Sequence, residues 1–163
     1  LKHLLCVVFH ISEYVGNKFA ILLIPRPFAF EQFEIYGEGS LWTLDGAGVV
    51  QDYESVFGRK KYASATAGAY YAARLAVLEY LNNIRRQASV LVVRLITSEY
   101  YAPLGVWVIR ETVRDALASK FQEFETMQDA LKEIRSKFNI ENKLLAKSKL
   151  ITEIKTQKTL KDF

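Results

Sequence analysis

Two acidic residues, Asp52 and Glu54, stand two positions apart in the segment QDYE. On a strand, side chains two apart point to one face, so the two carboxylates would lie together. Paired carboxylates hold Mg²⁺, and with Lys60 or Lys61 nearby they would serve phosphodiester hydrolysis. Such pairs are more often solvated strand faces or salt-bridge partners. The spacing is therefore compatible with a catalytic pair and with a structural pair.

A compact basic segment, GRKK (58–61), follows directly. In the predicted helix after it, Arg74 and Arg85 are eleven positions apart, which brings them within about 20° on one side. Such a row could follow a phosphate backbone, with Tyr62 or Tyr71 stacking on bases. The alternative is that Arg74 pairs with an interior carboxylate and the turn is merely solvated. The candidate nucleic-acid-binding residues are Arg59, Lys60, Lys61, Arg74 and Arg85.

Other chemistry-bearing residues give weaker signals. His3 and His10 are seven apart, on opposite faces of a strand, so they cannot chelate one metal ion together. A single cysteine, Cys6, leaves no Cys-based zinc site and no internal disulfide. Walker, GxSxG and HExxH motifs are absent from the sequence. We therefore predict no cofactor and no metal within this chain.

The segment EYYAPLGVW is crowded with aromatic residues. Tyr100, Tyr101 and Trp107 are expected to be packing groups whose polar tips find partners. A substrate pocket in this segment is the alternative.

The chain ends on TQKTLKDF, in which Gln157, Leu160 and Phe163 recur at intervals of three. This pattern resembles the peptide that docks on the sliding clamp PCNA. In that mode the glutamine amide enters a polar pocket, and one 3₁₀ turn aligns the aliphatic and aromatic residues on one side. The usual motif carries two consecutive aromatics, whereas one stands here. The resemblance predicts a clamp-binding tail over 157–163.

Composition and charge bound the remaining classes. Half of the residues are apolar, with eight glycines and three prolines, as in globular proteins. The apolar runs LLCVVFHI and FAILLIP are too short to cross a bilayer, and the lone cysteine suits a reducing cytosol, so a cytoplasmic protein without a membrane segment is predicted. Residues 1–136 have no net charge, and residues 137–163 hold the whole excess of +4. We divide the chain into a body (1–140), a basic helix (141–156) and the tail, and expect the last two to form a flexible arm.

The hydrophobic pattern predicts an α+β fold with early strands, a long central helix and a helical C-terminal part. Residues 4–12 and 17–24 flank VGN and indicate a β-hairpin. Strands are predicted near 30–36 (with a turn of helix as the alternative), within 47–57, over 89–97 as a central strand, and in APLGVWV. Helices are predicted over 66–86, 110–118, 127–137 and 142–155, the first with Ser64 or Thr66 as N-cap. The expected core stripe of that first helix is Tyr70, Ala73, Val77, Tyr80, Leu81 and Ile84.

Three long blocks, GRKKYASATAGAYYAARLAVLEYL, RRQASVLVVR and EYYAPLGVWVIRETVRDAL, precede the tail in this order. With it, they resemble the C-terminal region of the archaeal Nre DNA-repair family. The resemblance implies a cytosolic archaeal protein that the clamp recruits to damaged or replicating DNA, but it implies no reaction. Family members usually carry a cysteine-rich, zinc-finger-like segment near the N-terminus. Its absence, and the start at Leu1, predict a fragment whose zinc site lies elsewhere.

Three hypotheses about function follow. The first is a DNA-repair accessory protein that is tethered to the clamp and contacts DNA through its basic surface. The second is a metal-dependent, nuclease-like enzyme that uses Asp52 and Glu54. The third is a structural domain that supports a functional part outside this chain.

Overall fold

The computed structural model describes residues 1–42, 48–139 and 145–156. The fold is α+β, as predicted. The strands are β1 (Lys2–His3), β2 (Val7–Tyr14), β3 (Asn17–Ile24), β4 (Phe30–Tyr36), β5 (Val49–Glu54), β6 (Arg86–Gln87), β7 (Ser89–Ile96) and β8 (Gln122–Phe124). The helices are α1 (Gly68–Asn83), α2 (Trp107–Ala118), α3 (Met127–Phe138) and α4 (Lys149–Thr156).

The predicted hairpin is confirmed as β2 and β3, which pair antiparallel from Tyr14↔Asn17 outward. Val15 and Gly16 form the two-residue turn, both with positive φ (44° and 70°), as a type I′ turn requires. A Cβ on Gly16 would lie 2.4 Å from the Tyr100 backbone nitrogen, so this position also needs glycine for space.

The predicted central strand is confirmed as β7. It pairs antiparallel with β3 and parallel with β4 in a six-stranded sheet of order β5-β4-β7-β3-β2-β8. Its alternate side chains are buried on both faces, with Val90 and Val92 in one core and Leu91 and Val93 in the other. This two-sided burial explains why its sequence is an apolar run rather than an alternation.

Helices cover both faces of the sheet. One face packs against apolar side chains of α1 and α2, and the other packs against α3 and α4. Leu150 and Ile151 of α4 are buried in the second core. The described part of the predicted flexible arm is therefore packed on the sheet. Within the described residues, no helix is both long and apolar enough to cross a membrane.

The start of α1 differs from the prediction. Its N-cap is Ala67, whose methyl side chain cannot accept a hydrogen bond, while Thr66 stands one position earlier and its hydroxyl donates to Asp52 of β5 (3.0 Å). Ser64 is exposed. The helix also ends earlier, so Ile84, which was assigned to the core stripe, is exposed, and Tyr80 is half-buried.

The predicted strand in APLGVWV is wrong. Gly105 has a φ of 69°, and Trp107 already begins α2. The left-handed backbone turns the chain into the helix rather than extending it. Of the predicted helix over 142–155, α4 is described from Lys149 onward, and residues 141–144 lie outside the described part.

Candidate nucleic-acid interface

The basic turn, residues 58–62, closes over edge strand β5 and is held by Arg59. The Arg59 guanidinium donates hydrogen bonds to the backbone carbonyls of Tyr53 (2.8 Å) and Tyr62 (3.0 Å), and its Nε donates to that of Lys61 (3.1 Å). It also forms an ion pair with Asp52 at 3.1 Å and lies over the Tyr70 ring. Arg59 therefore fixes the conformation of the turn and satisfies a carbonyl at the sheet edge.

Asp52 and Glu54 do lie on one face of β5, as predicted, but each is engaged. Asp52 accepts from the Thr66 backbone N–H (2.8 Å) in addition to its pair with Arg59, and Glu54 pairs with Arg74 at 2.8 Å. Among the described residues, no group of three His, Cys, Asp or Glu side chains could hold a metal ion. Catalysis by this pair stays a sequence-based prediction without geometric support.

Arg74 confirms the structural alternative, since it pairs with an interior carboxylate. Its Nε donates to Glu54, which is 5% exposed, and its guanidinium lies over the Phe28 ring. Arg85 lies outside α1 and has a left-handed φ of 52°. The predicted row of Arg74 and Arg85 along one helix is wrong because the helix ends at Asn83.

Lys60 and Lys61 are the exposed charges of the basic turn. Neither forms an ion pair within the described part of the chain. Both line an open depression of about 540 Å³. Because Asp52 and Glu54 already balance Arg59 and Arg74, the positive charge of this depression comes from the two lysines.

A stacked tyrosine pair shares the depression with the lysines. The rings of Tyr62 and Tyr71 lie 4.9 Å apart at 30°. Tyr71 in turn meets buried Tyr70 edge-on at 5.3 Å, and its hydroxyl accepts from the Ala63 backbone N–H (2.9 Å). Burial, and next the charge of Glu54, raise the pKa of Tyr70, so this ring stays protonated at neutral pH.

Helix α4 is attached to the opposite face of the same sheet edge. The buried Glu31 carboxylate of β4 accepts from the Ser148 hydroxyl and from the backbone N–H groups of Lys149 (2.9 Å) and Leu150 (3.2 Å). Burial raises the pKa of Glu31, whereas these hydrogen bonds act in the opposite direction. The carboxylate thus sits at the positive end of the helix and fixes its direction.

Sequence reasoning missed this attachment. A second anchor is Tyr53 of β5, whose hydroxyl donates to Glu153 of α4. Ser148 stands just ahead of the apolar residues of α4, which is the sequence signal of an N-cap. In the structure its hydroxyl accepts from the Ile151 N–H (3.0 Å). Glu31 carries no such local signal, since its partners at the start of α4 are more than a hundred residues away and Gln51, which also donates to it (3.3 Å), is twenty away.

The anchors bring α4 close to the basic turn. Glu153 and Tyr53 line a second open depression together with Arg59, Lys60 and Lys61. Thr156, the last described residue, is three residues further along the helix, about 4.5 Å on its axis. The predicted clamp-binding residues Gln157, Leu160 and Phe163 lie outside the described part of the chain.

The remaining sequence candidates are placed elsewhere. Tyr100 is a packing residue, as expected: it is buried and stacks on Trp42, whose indole N–H donates to its carbonyl (2.6 Å). Tyr101 and Trp107 are more exposed than expected, and Trp107 lines a groove of about 400 Å³. His10 is buried with Nδ1 3.0 Å from the Ala116 carbonyl, and desolvation lowers its pKa.

Comparisons with a family model and with curated proteins point to the same family. Residues 54–163 match the family described as archaeal Nre, C-terminal. The chain is 47% identical over 119 residues to DNA repair protein NreA of Archaeoglobus fulgidus (73% of this chain, 30% of that protein). It is 40% identical over 126 residues to NreA of Haloferax volcanii (76% and 30%) and 38% identical over 149 residues to NreB of Archaeoglobus fulgidus (90% and 38%). The chain spans about a third of the length of these curated relatives, and no solved structure matches it.

Proposed function

Because the chain belongs to the archaeal Nre family, we propose that it serves DNA repair as an accessory module that contacts DNA through its basic turn. Its relatives carry the name DNA repair protein. In this proposal the C-terminal tail docks on the sliding clamp PCNA and delivers the module to DNA. The role proposed for the described residues is binding and positioning, with no reaction assigned.

One observation supports the DNA contact: Arg59 fixes the backbone of the basic turn, and the exposed charges of the turn are Lys60 and Lys61. Arg59 bonds three carbonyls and Asp52, so the turn is held without help from the lysines. Lys60 and Lys61 then project next to Tyr62. Exposed lysines on a preformed backbone suit phosphate groups, which supply most of the affinity of sequence-independent DNA binding.

The anchoring of α4 supports a joint action of tail and turn. Glu153, one helical turn before Thr156, lines a depression with Lys60 and Lys61. A tail that leaves α4 there would hold the basic turn close to whatever the tail binds. Since the clamp encircles DNA, tethering would raise the local concentration of DNA at the turn and make weak phosphate contacts effective.

A salt-dependent DNA titration tests the contact. Lys60→Ala with Lys61→Ala should weaken binding to a duplex and lower the magnitude of the slope of log K against log salt by about 2, one unit per lost phosphate contact. The matched control is Lys132→Ala with Lys137→Ala on α3, which packs against the opposite face of the sheet from α1. An equal loss in both double variants would reject the basic turn as the contact. A wild-type chain that binds no DNA would favour the structural-support alternative.

A separate experiment tests the tail. Phe163→Ala should abolish co-elution of the chain with PCNA, and Leu160→Ala should weaken it strongly, because both side chains would fill the hydrophobic groove of the clamp. Thr159→Ala, at a position that the motif leaves free, is the control. Binding that survives both Phe163→Ala and Leu160→Ala would reject clamp docking while leaving the DNA contact open to its own test.

A further inference from the structure

We infer that the exposed ring of Tyr62 stacks on a base of unpaired DNA, so that this surface makes a contact with single-stranded DNA that duplex DNA does not offer. The inference rests on the proposed DNA contact and assigns it a substrate class. It depends on the tyrosine stack, on the hydrogen bonds that hold its backbone, and on the charge around it.

A row of three tyrosines runs from the core to the surface, edge-on between Tyr70 and Tyr71 and stacked between Tyr71 and Tyr62. Tyr70 is fully buried, Tyr71 lies against it, and Tyr62 lies on Tyr71 with 62% of its own surface exposed. A large aromatic side chain this exposed is not explained by core packing. Because one face of the Tyr62 ring is supported by Tyr71, a ligand that stacks on its exposed part would extend this stacked pair.

The backbone around Tyr62 is fixed on both sides. Its carbonyl accepts from Arg59 Nη2 (3.0 Å), and the next backbone N–H, of Ala63, donates to the Tyr71 hydroxyl (2.9 Å). The Tyr71 ring thus packs on the Tyr62 ring, and the Tyr71 hydroxyl bonds the backbone of Ala63, the residue after Tyr62. The ring is presented with little further loss of conformational entropy on binding, which favours affinity.

The charge around the ring selects an anionic ligand. Lys60 and Lys61 immediately precede Tyr62 and line the same depression, whereas the two arginines there are balanced by Asp52 and Glu54. A lysine pair next to an aromatic platform matches a chain that alternates phosphates with flat rings. Single-stranded nucleic acid has this chemistry, and stacking on it needs no particular sequence.

Duplex DNA fits the lysines but not the tyrosine. In a double helix the base faces are covered by neighbouring base pairs, and the grooves present base edges. Tyr62 could stack only on a base that is unpaired or at an end. Phosphate contact should therefore be common to both forms of DNA, and the stacking contribution should be confined to single strands.

Fluorescence anisotropy with the whole 163-residue chain tests this division. The probes are a labelled thymidine oligonucleotide and a duplex of the same length. Tyr62→Ala should weaken binding to the single strand by about fivefold or more, the range expected for loss of one base–aromatic stack, and leave duplex binding unchanged. Tyr62→Phe keeps the ring and should bind both probes as the wild type does. Tyr101→Ala, which removes another largely exposed tyrosine (71%), is the matched control and should change neither.

The outcomes separate this inference from the proposed function. Wild-type binding to both probes with no effect of Tyr62→Ala overturns the stacking inference and leaves the DNA contact standing. Equal losses on single strand and duplex, or a loss with Tyr62→Phe, also overturn it. Tighter binding of a matched RNA strand assigns the surface to RNA and overturns the inference as stated. Binding to neither probe overturns the proposed contact and the inference together.

Discussion

Two arginine–carboxylate sites lie on the same face of the sheet and differ mainly in how far they are enclosed. In the enclosed site, Arg94 of β7 pairs with Glu34 of β4 at 2.6 Å, and both side chains are 6% exposed. The same arginine donates from Nε to Asn17 of β3 (2.9 Å). In the open site at the β5 edge, Glu54 is equally buried, but Arg74 is 32% exposed.

This difference separates architecture from surface chemistry. Arg94 hydrogen-bonds to Asn17 of β3 and Glu34 of β4, so it links these two strands to β7 and is enclosed away from solvent. At the open site, Arg59 and Arg74 pair with Asp52 and Glu54, and Arg59 also holds the turn. Lys60 and Lys61 take no part in this pairing and can make other contacts. Lys60 and Lys61 could bind a ligand because Arg59 and Arg74 already neutralise the buried carboxylates Asp52 and Glu54.

The largest effect is expected from breaking the enclosed pair. Arg94→Met should lower the free energy of unfolding by about 3–5 kcal/mol, because it leaves Glu34 buried without its cation. Urea denaturation measures the loss. The double variant Arg94→Met with Glu34→Leu should regain much of it, since no unpaired charge remains. A double variant no more stable than the single one would contradict this account.

Breaking the open pair should cost less. Arg74→Met is expected to lower the free energy of unfolding by about 2 kcal/mol, in the range for a hydrogen bond to a charged group, because water that reaches Arg74 can partly solvate Glu54. Urea denaturation again measures it. Arg110→Met, which removes an exposed ion pair on α2, is the control and should have no measurable effect. A loss as large as that of Arg94→Met would show that exposure does not distinguish the two sites.

Another buried carboxylate, Glu31, extends the comparison to a site held by N–H and O–H donors without an arginine. Burial raises its folded-state pKa, so the folded chain binds more protons than the unfolded chain above the ordinary value of about 4.3. Its contribution to stability should therefore fall as pH rises from the ordinary pKa of about 4.3 to the raised folded-state pKa of Glu31. The fall is at most about 1.4 kcal/mol per pH unit.

Glu31→Gln removes the titrating group and keeps one acceptor oxygen, so it isolates this effect. The stability advantage of the wild type over Glu31→Gln should be greatest at the acidic end of the window and shrink toward neutral pH. Urea denaturation of both proteins across that range measures the difference. A difference that does not change with pH would mean that Glu31 titrates alike in the folded and unfolded chain.

The smallest effect on stability is expected where the proposed binding role is greatest. Lys60→Ala with Lys61→Ala should leave the free energy of unfolding unchanged within error, because Arg59 holds the turn and the lysines have no structural partner among the described residues. Its DNA affinity should fall nonetheless. A large loss of stability would instead make the lysines part of the structural pairing and remove the contrast.

Local patterns predicted the elements well where one signal dominated. The VGN hairpin, the apolar run of β7 and the amphipathic α3 are each encoded within a few residues, so their existence was predicted correctly. The predictions that failed depended on competition between local and distant partners. Thr66 is a good N-cap residue, but its backbone N–H and hydroxyl both bond Asp52, fourteen positions away, and the N-cap position falls on Ala67. The predicted strand in APLGVWV was overridden by the turn at Gly105 and the start of α2.

The candidate site divides in the same way. The basic segment, the two tyrosines and the tail pattern were identified from residue types and spacing, and the family resemblance was confirmed by the comparisons. Which of the charges are available was not readable. No local pattern indicates that Arg59 would form an ion pair with Asp52, seven positions earlier. The predicted row of Arg74 with Arg85 required a helix longer than the one that forms.

The sequence by itself determined the kinds of element, the family and the set of basic and aromatic residues, because each of these depends on neighbours along the chain. Only the tertiary structure decided that Arg59 and Arg74 are balanced, that Lys60 and Lys61 remain exposed, and that Glu153 of α4 lies beside them. The physical reason is that ion pairing and burial depend on distances between segments that the sheet brings together. Those distances set the electrostatic balance of the site, and no local pattern records them.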